Sequence, residues 1–505
     1  MRPIAFLLMC AGLATVTPAR AGVDPQPPHG TTWMTVLVDG RKIGALRVDR
    51  EVEGGTITTT QTLSIELLRA GKPLRLRSVS STTEDLAGAP LGFSASSALS
   101  SIDNTVTAKR LAPGTFEVTA SVGGQTRVGR VVLPPGTLMF DGQRRAMRAA
   151  GDKAGSTYRL QQFDPASQQV MAVDMQVIGT ETVELPERTV TLNHQRQRLR
   201  LPGGDQVVDL WLDDRGIAQK GELRLLGQRL DMLACSEACA LAPVQRVDMF
   251  RSATVDSPRP LTVNLRAVPL TYRIRLREGA RRLLIQTDEQ DVRPIDDHEV
   301  FLDVHRAQAG KEAGPVPADT AATPWVQSDA PAIRELAARV VGRARDPRDR
   351  MRRLREFVSG YVTEHGLDIG YASALEVLKD RRGDCTEFAV LLAALARAEG
   401  IPTRVVTGMV YADRYAGTLR AFVPHAWVQS WVDGRWESYD AALRQFDSTH
   451  IALTTGDGDP SRYFGATQLF GAMTIESVRP SNEFTPPVSP PTAPPPSTGT
   501  PTGRG

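Results

Sequence analysis

The sequence predicts an α+β fold, in which a large N-terminal antiparallel β region precedes a domain that mixes helices and strands. Between residue 32 and about residue 232, alternating and β-branched runs are separated by glycine and proline. From residue 329 the apolar residues recur at helical spacing, and a strand hairpin is predicted around residue 425. Runs of strands followed by helices are typical of an α+β architecture.

Length and composition set broad limits on the protein. A chain of 505 residues is long enough for two to four domains. Its hydrophobic content of 41% and charged content of 23% are those of a globular protein with a large core. The net charge of +3 is small for this length and argues against a dedicated nucleic-acid binder.

The first 21 residues have the form of a signal peptide. Met1-Arg2 supplies the positive start, and the mostly apolar stretch from Ile4 to Val16 is too short to span a bilayer. Ala19-Arg20-Ala21 has the form of a cleavage site, so the mature chain is expected to begin near Gly22. An N-terminal membrane anchor is the alternative. No later stretch is long and apolar enough for a transmembrane helix, and a periplasmic or secreted protein is therefore expected.

Composition shifts divide the rest of the chain. The expected units are an N-terminal β domain (22–240), a small β segment (241–306), a linker rich in Ala, Gly and Pro (307–328), the mixed domain (329–480) and a Pro/Thr-rich disordered tail (481–505). The tail has almost no apolar residues with which to form a core.

The N-terminal β domain opens with a hairpin. The run Thr32–Val38 ends at Asp39-Gly40, a two-residue turn signal, and Lys42–Val48 returns. No group of residues in this domain has a catalytic pattern. Further strand-like runs are Thr56–Leu67, Leu74–Ser81, Thr115–Val122, Arg127–Leu133, Val170–Ile178, Thr189–Leu201 and Val207–Leu212, and in the small β segment Tyr272–Leu276 and Arg282–Gln286.

Three helices open the mixed domain. The first covers Asp329–Ala344, with Asp329 as a candidate cap. The second covers Asp346–Val362, where Pro347 stands at a tolerated first-turn position. The third, Ala374–Lys379, is short.

The cysteine count singles out one thiol. Cys10 leaves with the signal peptide, and Cys235 and Cys239 are close enough to form a disulfide in an oxidising compartment. The alternative for that pair is half of a zinc site, but no histidine or further cysteine lies nearby in the sequence. Cys385 then remains unpaired.

Cys385 stands at the start of a helix. Gly383-Asp384-Cys385 precedes an apolar run from Phe388 that ends at Gly400, and Asp384 is a suitable N-cap. The positive end of a helix favours a thiolate over a thiol, and the thiolate is the reactive form of cysteine. The alternative, a buried structural cysteine, fits this polar, glycine-bounded position poorly.

A predicted hairpin brings a histidine and a carboxylate together. Asp433-Gly434 is a turn signal, and a two-residue loop there pairs Val432 with Arg435. Counting back places Asp440 opposite Trp427, two residues from His425, so that His425 and Asp440 become diagonal neighbours on one face. Either residue alone is more often structural. Cys385, His425 and Asp440, in this order along the chain, provide a nucleophile, a base and an orienting acid.

Other candidates are weaker. His365 and His450 have no carboxylate that the sequence pairs with them, and Asp384 and Glu387 crowd the site without a catalytic role. No metal or cofactor is expected. No D-x-D-x-D-G loop is present, so calcium dependence is not supported.

These motifs resemble the transglutaminase-like superfamily core. The resemblance covers about a third of the chain, from about Ala330 to Pro480, and three blocks occur in order. They are Gly383-Asp384-Cys385 with its helix and Gly400-Ile401-Pro402-Thr403-Arg404, then His425-Ala426-Trp427, then Gly434-Arg435-Trp436 with Asp440. The resemblance implies a papain-like fold, with Cys385 as nucleophile, His425 as general base and acid, and Asp440 as the orienting acid.

The resemblance leaves the reaction open. It implies a cysteine protease or an acyltransferase that forms a thioester with a peptide or glutamine-type substrate, and we favour hydrolysis slightly over transamidation. One alternative is a non-catalytic envelope binding or scaffold protein with a silent domain of this kind. A third, weaker hypothesis gives the N-terminal sheet a cavity for lipid.

Overall fold

The computed structural model describes residues 28–69, 71–99, 102–122, 124–201, 204–225, 227–277, 284–366, 371–460 and 469–483. The predicted signal peptide and almost all of the predicted tail lie outside these residues. No helix within the described ranges is long and apolar enough to cross a membrane.

The N-terminal sheet is one antiparallel array of 15 strands, apart from a short parallel pairing at one edge. Strands β1–β8 follow one another across half of the sheet, β9–β15 do the same across the other half, and β1 pairs with β15 to join the halves. The strands are β1 (Gly30–Val38), β2 (Arg41–Glu53), β3 (Thr56–Arg69), β4 (Lys72–Asp85), β5 (Pro90–Leu99), β6 (Ile102–Ala112), β7 (Thr115–Val122), β8 (Gln125–Val132), β9 (Thr137–Leu138), β10 (Thr157–Asp164), β11 (Gln169–Leu185), β12 (Arg188–Leu201), β13 (Gly204–Leu212), β14 (Ala218–Leu225) and β15 (Gln228–Cys235).

The predicted first hairpin is confirmed. Val38 pairs with Arg41 across the turn, and Asp39 and Gly40 both adopt positive φ, at 44° and 77°. Positive φ at both central residues is the geometry that matches the twist of the flanking strands, and it explains the Asp-Gly sequence. Every other strand-like run predicted between residues 56 and 212 also falls within a strand, to within one residue.

Helix α1 (Phe140–Ala149) packs on the N-terminal sheet and is not predicted by the sequence pattern. Its polar composition hides its burial. Glu84 of β4 accepts hydrogen bonds from the first-turn backbone N–H groups of Asp141 and Gly142, at 2.7 and 2.9 Å. Arg144 and Asp141 form an ion pair in the interior, so charged residues are buried with their partners.

A four-stranded sheet contains most of the predicted small β segment. Its order is β18 (Gln290–Pro294), β19 (Glu299–Val304), β17 (Leu270–Leu276) and β26 (Met473–Pro480). The prediction of a strand over Arg282–Gln286 is wrong for residues 284–286, which are irregular, and residues 282–283 lie outside the described ranges. The last strand comes from more than 190 residues further along the chain, a long-range pairing that local patterns do not predict.

The C-terminal domain packs helices against a five-stranded sheet. The sheet order is β16 (Val255–Asp256), β23 (Thr418–Val432), β22 (Thr403–Tyr415) and β25 (Ile451–Gly456), with β24 (Arg435–Tyr439) also paired to β23. The helices are α4 (Pro331–Val341), α5 (Pro347–Tyr361), α6 (Ala374–Asp380) and α7 (Cys385–Ala398), while α2 (Glu237–Leu241) and α3 (Val263–Arg266) are short helices earlier in the chain. The two-residue strands β20 (Glu364–His365) and β21 (Arg382–Gly383) pair just before α7.

Helix α7 is the centre of this domain. Its residues from Glu387 to Arg397 are all buried, among α4, α5 and α6 and against β22 and β23. Asp346 caps α5 by accepting from the backbone N–H groups of Arg348 and Asp349, and Pro347 is the first residue of the helix, in the predicted first-turn position. The predicted Asp329 cap is wrong, because α4 begins at Pro331 with Ala330 in the N-cap position.

Residues 307–328 contain no strand and only one short 3-10 helix. They nevertheless pack on the C-terminal domain. Glu312 pairs with Arg404 of β22 at 2.7 Å, and the carbonyl of Ala313 accepts from Trp436 Nε1. The segment predicted as a linker is therefore fixed along the five-stranded sheet.

Cys235 and Cys239 form a disulfide at the end of the N-terminal sheet. Their bridge closes the turn between β15 and the short helix α2. Cys385 is the free cysteine among the described residues.

Candidate active site

Cys385 is the first residue of α7, as the sequence predicts. Asp384 is the N-cap, and its Oδ1 accepts from the backbone N–H of Thr386 at 2.9 Å. Glu387 completes a capping box, because its Oε2 accepts from the backbone N–H of Asp384 at 2.8 Å. Gly400 ends the helix region with a φ of 74°, a value that favours glycine.

The hairpin that carries His425 and Asp440 has the predicted register. Val432 pairs with Arg435 and Val428 with Tyr439, so the next position sets Trp427 opposite Asp440. His425 Nε2 lies 2.7 Å from Asp440 Oδ2. Both side chains are buried, so the predicted neighbours make direct contact in a low-dielectric environment that strengthens the bond.

Asp440 is held on both of its oxygens. Oδ1 accepts from the backbone N–H groups of Ala442 and Leu443, at 2.7 and 2.9 Å. Oδ2 is shared by His425 and His450, which lies 3.0 Å away through its Nε2. Burial alone would raise the pKa of Asp440, but the two histidines outweigh it and hold that pKa below its usual range.

His450 has the carboxylate partner that the sequence analysis did not find. It contacts Asp440 through Nε2 and Asp447 through Nδ1, the latter at 3.2 Å. Burial would lower the pKa of His450, but the hydrogen bonds and charges of the two carboxylates raise it to about 9. A positively charged His450 therefore stands behind Asp440. The spacing of Asp447 and His450 was the available signal, but the contact with Asp440 depends on the path of the loop.

Cys385 lies beside this pair with its side chain half-buried. The backbone N–H of Ala426, the residue after His425, faces the sulfur. The Cys385 thiol and the His425 ring make no direct hydrogen bond among the described residues. Catalytic hydrogen bonds are often long before substrate binds, so the lack of a direct hydrogen bond is compatible with proton transfer between Cys385 and His425.

The prediction that Cys385 prefers the thiolate form is wrong for the protein without substrate. Burial and the neighbouring Asp384 carboxylate raise the pKa of the Cys385 thiol well above its usual value, and Glu387 adds to the effect. Arg69 and the Ala426 N–H act in the opposite direction. The helix end favours the thiolate, but the acidic cap places a negative charge next to the sulfur.

Three groups in the site lie close enough to share a metal ion. Ligand atoms of His425, Asp440 and His450 fall within 4.8 Å of one another. Hydrogen bonds account for this cluster, because both histidines bond to the same Asp440 oxygen. A protonated His450 has no lone pair to offer a metal. The residues present therefore fit a hydrogen-bonded network better than a metal site.

Comparison with known proteins identifies this domain. Residues 334–441 match the model of the transglutaminase-like superfamily. The chain contains a transglutaminase-like core. The matched range includes Cys385, His425 and Asp440, and the resemblance stated from the motifs is thereby confirmed for this part of the chain.

Individual relatives are distant or short. An uncharacterized protein of Mycobacterium leprae is 39% identical over 72 residues, which cover 14% of this chain. The match spans 25% of that relative's length. The structure of a proposed cysteine protease from Cytophaga hutchinsonii has 18% identity and a TM-score of 0.28. This match covers 45% of this chain and 86% of that one. The periplasmic domain of TgpA from Pseudomonas aeruginosa has 20% identity and a TM-score of 0.25. This match covers 44% of this chain and 81% of that one.

Proposed function

We propose that this protein is an exported cysteine-nucleophile enzyme that acts on peptide or glutamine-type amide bonds through a thioester acyl-enzyme. One observation carries the proposal. A buried histidine–aspartate pair, 2.7 Å apart, lies beside a free cysteine at the start of a helix. Nucleophile, base and orienting acid are the parts of a cysteine acyl-transfer site. The family match supports an enzyme role at the level of the superfamily.

The first half of the reaction breaks the amide bond. Because Asp440 accepts from His425 Nε2, His425 Nδ1 is the nitrogen left to take the Cys385 proton. The sulfur then attacks the carbonyl carbon and forms a tetrahedral intermediate. His425 returns the proton to the departing nitrogen, and the acyl group remains on Cys385 as a thioester.

The second half releases the acyl group. Water or an amine attacks the thioester carbon, His425 accepts the proton from this nucleophile, and the proton returns to the sulfur as Cys385 leaves. Water gives hydrolysis and an amine gives transamidation. We favour hydrolysis of peptide bonds, and no step requires a metal or an organic cofactor.

The backbone at the start of α7 supplies a suitable donor for the oxyanion. The N–H of Cys385 has no acceptor among the residues described, since Asp384 Oδ1 takes the next N–H instead. A backbone N–H on the nucleophile itself, without an acceptor in the protein, is a candidate donor to the oxygen that gains charge in a tetrahedral intermediate. The positive end of the helix adds to that stabilisation.

The N-terminal segment supports a reaction outside the cytoplasm. Residues 1–21 have the form of a signal peptide, and the disulfide between Cys235 and Cys239 suits an oxidising compartment. The proposed substrates are therefore peptides or proteins of the periplasm or the extracellular space.

A comparison of two cysteine variants tests the proposal. The exported chain is incubated with a peptide library and, separately, with glutamine-containing proteins and a labelled primary amine. We expect Cys385→Ala to lose all product, because no other residue supplies the nucleophile. The matched control, Cys235→Ser with Cys239→Ser, removes cysteines outside the site and should keep the activity. Mass spectrometry distinguishes cleavage from amine incorporation and detects an acyl adduct on Cys385.

The opposite result would favour the scaffold hypothesis. If wild type and Cys385→Ala give the same products, and cells that carry Cys385→Ala retain the protein's full role, the site has no catalytic function. Amine incorporation without cleavage would retain the enzyme and reverse our preference for hydrolysis.

A further inference from the structure

The acidic cap of α7 is paired with a residue from the N-terminal sheet. Arg69, the last residue of β3, places Nη1 2.6 Å from Asp384 Oδ2. The Asp384 side chain is only 5% exposed and that of Arg69 is 29% exposed, so the ion pair is largely shielded from water. A region without a catalytic pattern of its own therefore reaches the residue next to the candidate nucleophile.

The position of Arg69 is fixed by its neighbours. The backbone N–H of Leu68 donates to the Val247 carbonyl at 2.7 Å, and the N–H of Met249 donates to the Leu68 carbonyl at 3.1 Å. One side of the β3–β4 turn is tied as well, because the N–H of Gly71 donates to Asp248 Oδ2 at 2.8 Å. Residues 247–249 thus form a backbone bridge that holds the end of β3.

That bridge continues into the sheet that carries His425. Phe250 packs with Val410 and Val423 in one buried cluster, and its ring lies 5.7 Å from that of Tyr415. Shortly afterwards Val255 pairs with Phe422 of β23. The backbone that holds Arg69 therefore packs together with β23, the strand that carries His425. The position of Arg69 beside Asp384 is thus determined by the fold.

We propose that Arg69 is a positioning residue for the reaction, because its guanidinium compensates the Asp384 carboxylate and allows the Cys385 sulfur to carry negative charge. The proton of the thiol passes to His425 and the electron pair stays on sulfur. Asp384 caps α7, and Arg69 offsets the electrostatic cost of placing that carboxylate beside the sulfur. The N-terminal sheet thereby completes the active site of the other domain.

The charges around the sulfur agree with this role. Asp384 and Glu387 face Cys385 from the N-cap and first turn of α7, Tyr415 from β22 and Arg69 from the N-terminal sheet. Arg69 is the side chain in this set that carries a permanent positive charge. Burial would lower its own pKa, but Asp384, Cys385 and Glu387 raise it. An opposite charge at this range stabilises an anion in a partly desolvated site.

The test measures how the reactivity of the Cys385 thiol depends on pH, and it does not require turnover of a substrate. Iodoacetamide alkylation of Cys385 in the exported chain is followed from about pH 6 to about pH 11 by mass spectrometry of the labelled peptide, because the raised pKa of the thiol moves the profile to high pH. We expect Arg69→Gln to move the midpoint of the profile up by about one pH unit and to slow alkylation about tenfold at pH 7. Arg69→Lys keeps the charge and should restore most of the rate.

A second arginine of the N-terminal sheet is the matched control. Arg127 pairs with Asp329 at 2.7 Å across the same two regions, but both side chains are more exposed, at 35% and 45%. If Arg69 served only to hold the regions together, Arg127→Gln would affect the alkylation profile similarly. We expect the midpoint of Arg127→Gln to equal that of the wild type.

Asp384→Asn provides the reciprocal test, since asparagine also caps helices well. We expect its alkylation midpoint to fall, and Arg69→Gln to cause little further shift in that background. Should Arg69→Gln fail to fold, the fall in the Asp384→Asn midpoint decides the question. An unchanged midpoint in Arg69→Gln or in Asp384→Asn, with circular dichroism like the wild type, overturns the inference.

The inference builds on the proposed function, but the two fail differently. A shifted alkylation midpoint in a protein with no amide-cleaving or amine-transferring activity retains the role of Arg69 and rejects the enzyme. Activity with a midpoint that does not depend on Arg69 retains the enzyme and rejects the role of Arg69.

Discussion

The N-terminal sheet and the C-terminal domain use their residues in opposite ways. Along β4 and β8 few side chains are buried, and those strands pair with their chain neighbours through short turns. In α7 every residue from Glu387 to Arg397 is buried, and the partners of this helix come from strands and helices distributed over the domain. The first region is built mainly from local pairing, and the second from packing between distant segments.

This difference explains where chemistry is possible. A buried, tightly packed helix can hold Cys385 at a fixed distance from a strand that carries His425. A half-exposed meander offers no such enclosure, and Arg69, the residue that it contributes to the site, lies where the end of β3 is held by residues 247–249. The contribution of an N-terminal sheet residue to the site therefore depends on whether it lies at the contact between the two regions or away from it.

The largest effect is expected from Asp440→Asn. The amide group would donate where His425 now needs an acceptor, which reverses the imidazole tautomer and leaves the charged His450 with Asp447 but without the Asp440 carboxylate. Activity should fall by about three to four orders of magnitude, and the free energy of unfolding by about 3–5 kcal/mol. Turnover of the substrate found for the wild type and urea denaturation measure the two effects.

The control for Asp440 lies in the same hairpin. Asp433 stands in the exposed turn and pairs with Arg348 at 3.0 Å, with half of its side chain exposed. Asp433→Asn should change the free energy of unfolding by less than about 0.5 kcal/mol. Equal effects of the two substitutions would mean that burial of the carboxylate does not matter.

A pair of leucine truncations compares the two cores directly. Leu391 of α7 is fully buried, whereas Leu67 of β3 is only partly buried. We expect Leu391→Ala to lower the free energy of unfolding by about 3–5 kcal/mol, and Leu67→Ala by about 1 kcal/mol, because less apolar surface is removed from water. Urea unfolding followed by circular dichroism gives both values. Similar losses would contradict the contrast drawn between the regions.

A smaller, pH-dependent effect is expected from His450. The two carboxylates raise the pKa of His450 to about 9 in the folded protein from its ordinary value of 6.5, so the folded state binds the extra proton between these values. The stabilisation is fully present below pH 6.5 and is lost as pH rises through about 9, on the order of 3 kcal/mol in total. We expect His450→Gln to lose less stability than the wild type over this range.

The exposed His365 is the control for that experiment. His365→Gln should follow the wild-type curve of unfolding free energy against pH, because its side chain is open to solvent. If His450→Gln also runs parallel to the wild type, the charge that we assign to His450 is absent.

The parts of this structure that sequence predicts well are those set by neighbouring residues. The Asp39-Gly40 and Asp433-Gly434 turns fix their hairpin registers, and Asp384 with Glu387 fixes the start of α7. For this reason the contact between His425 and Asp440 follows from counting residues across one turn.

The remainder depends on contacts between distant segments. Strand β26 joins β17 from the far end of the chain. His450 reaches Asp440 through an irregular loop, and Arg69 reaches Asp384 from another region. The helix end alone predicts a thiolate, whereas burial and the Asp384 charge raise the pKa of the Cys385 thiol. No local pattern contains this information.

The pairing of β1 with β15 has a consequence for folding. Every other neighbouring pair in the N-terminal sheet is consecutive in the chain, but Trp33 pairs with Cys235, about 200 residues away. Each meander can therefore form rapidly through contacts of low sequence separation, and closing the seam between them is expected to be the slow step. Until then both edges present apolar residues that the seam later buries, among them Met34, Val36 and Ala234. A nascent chain arrested at this stage would expose the unpaired edges of β1 and β15, which can pair with other chains and cause aggregation. We therefore expect a chaperone to act before these two strands pair.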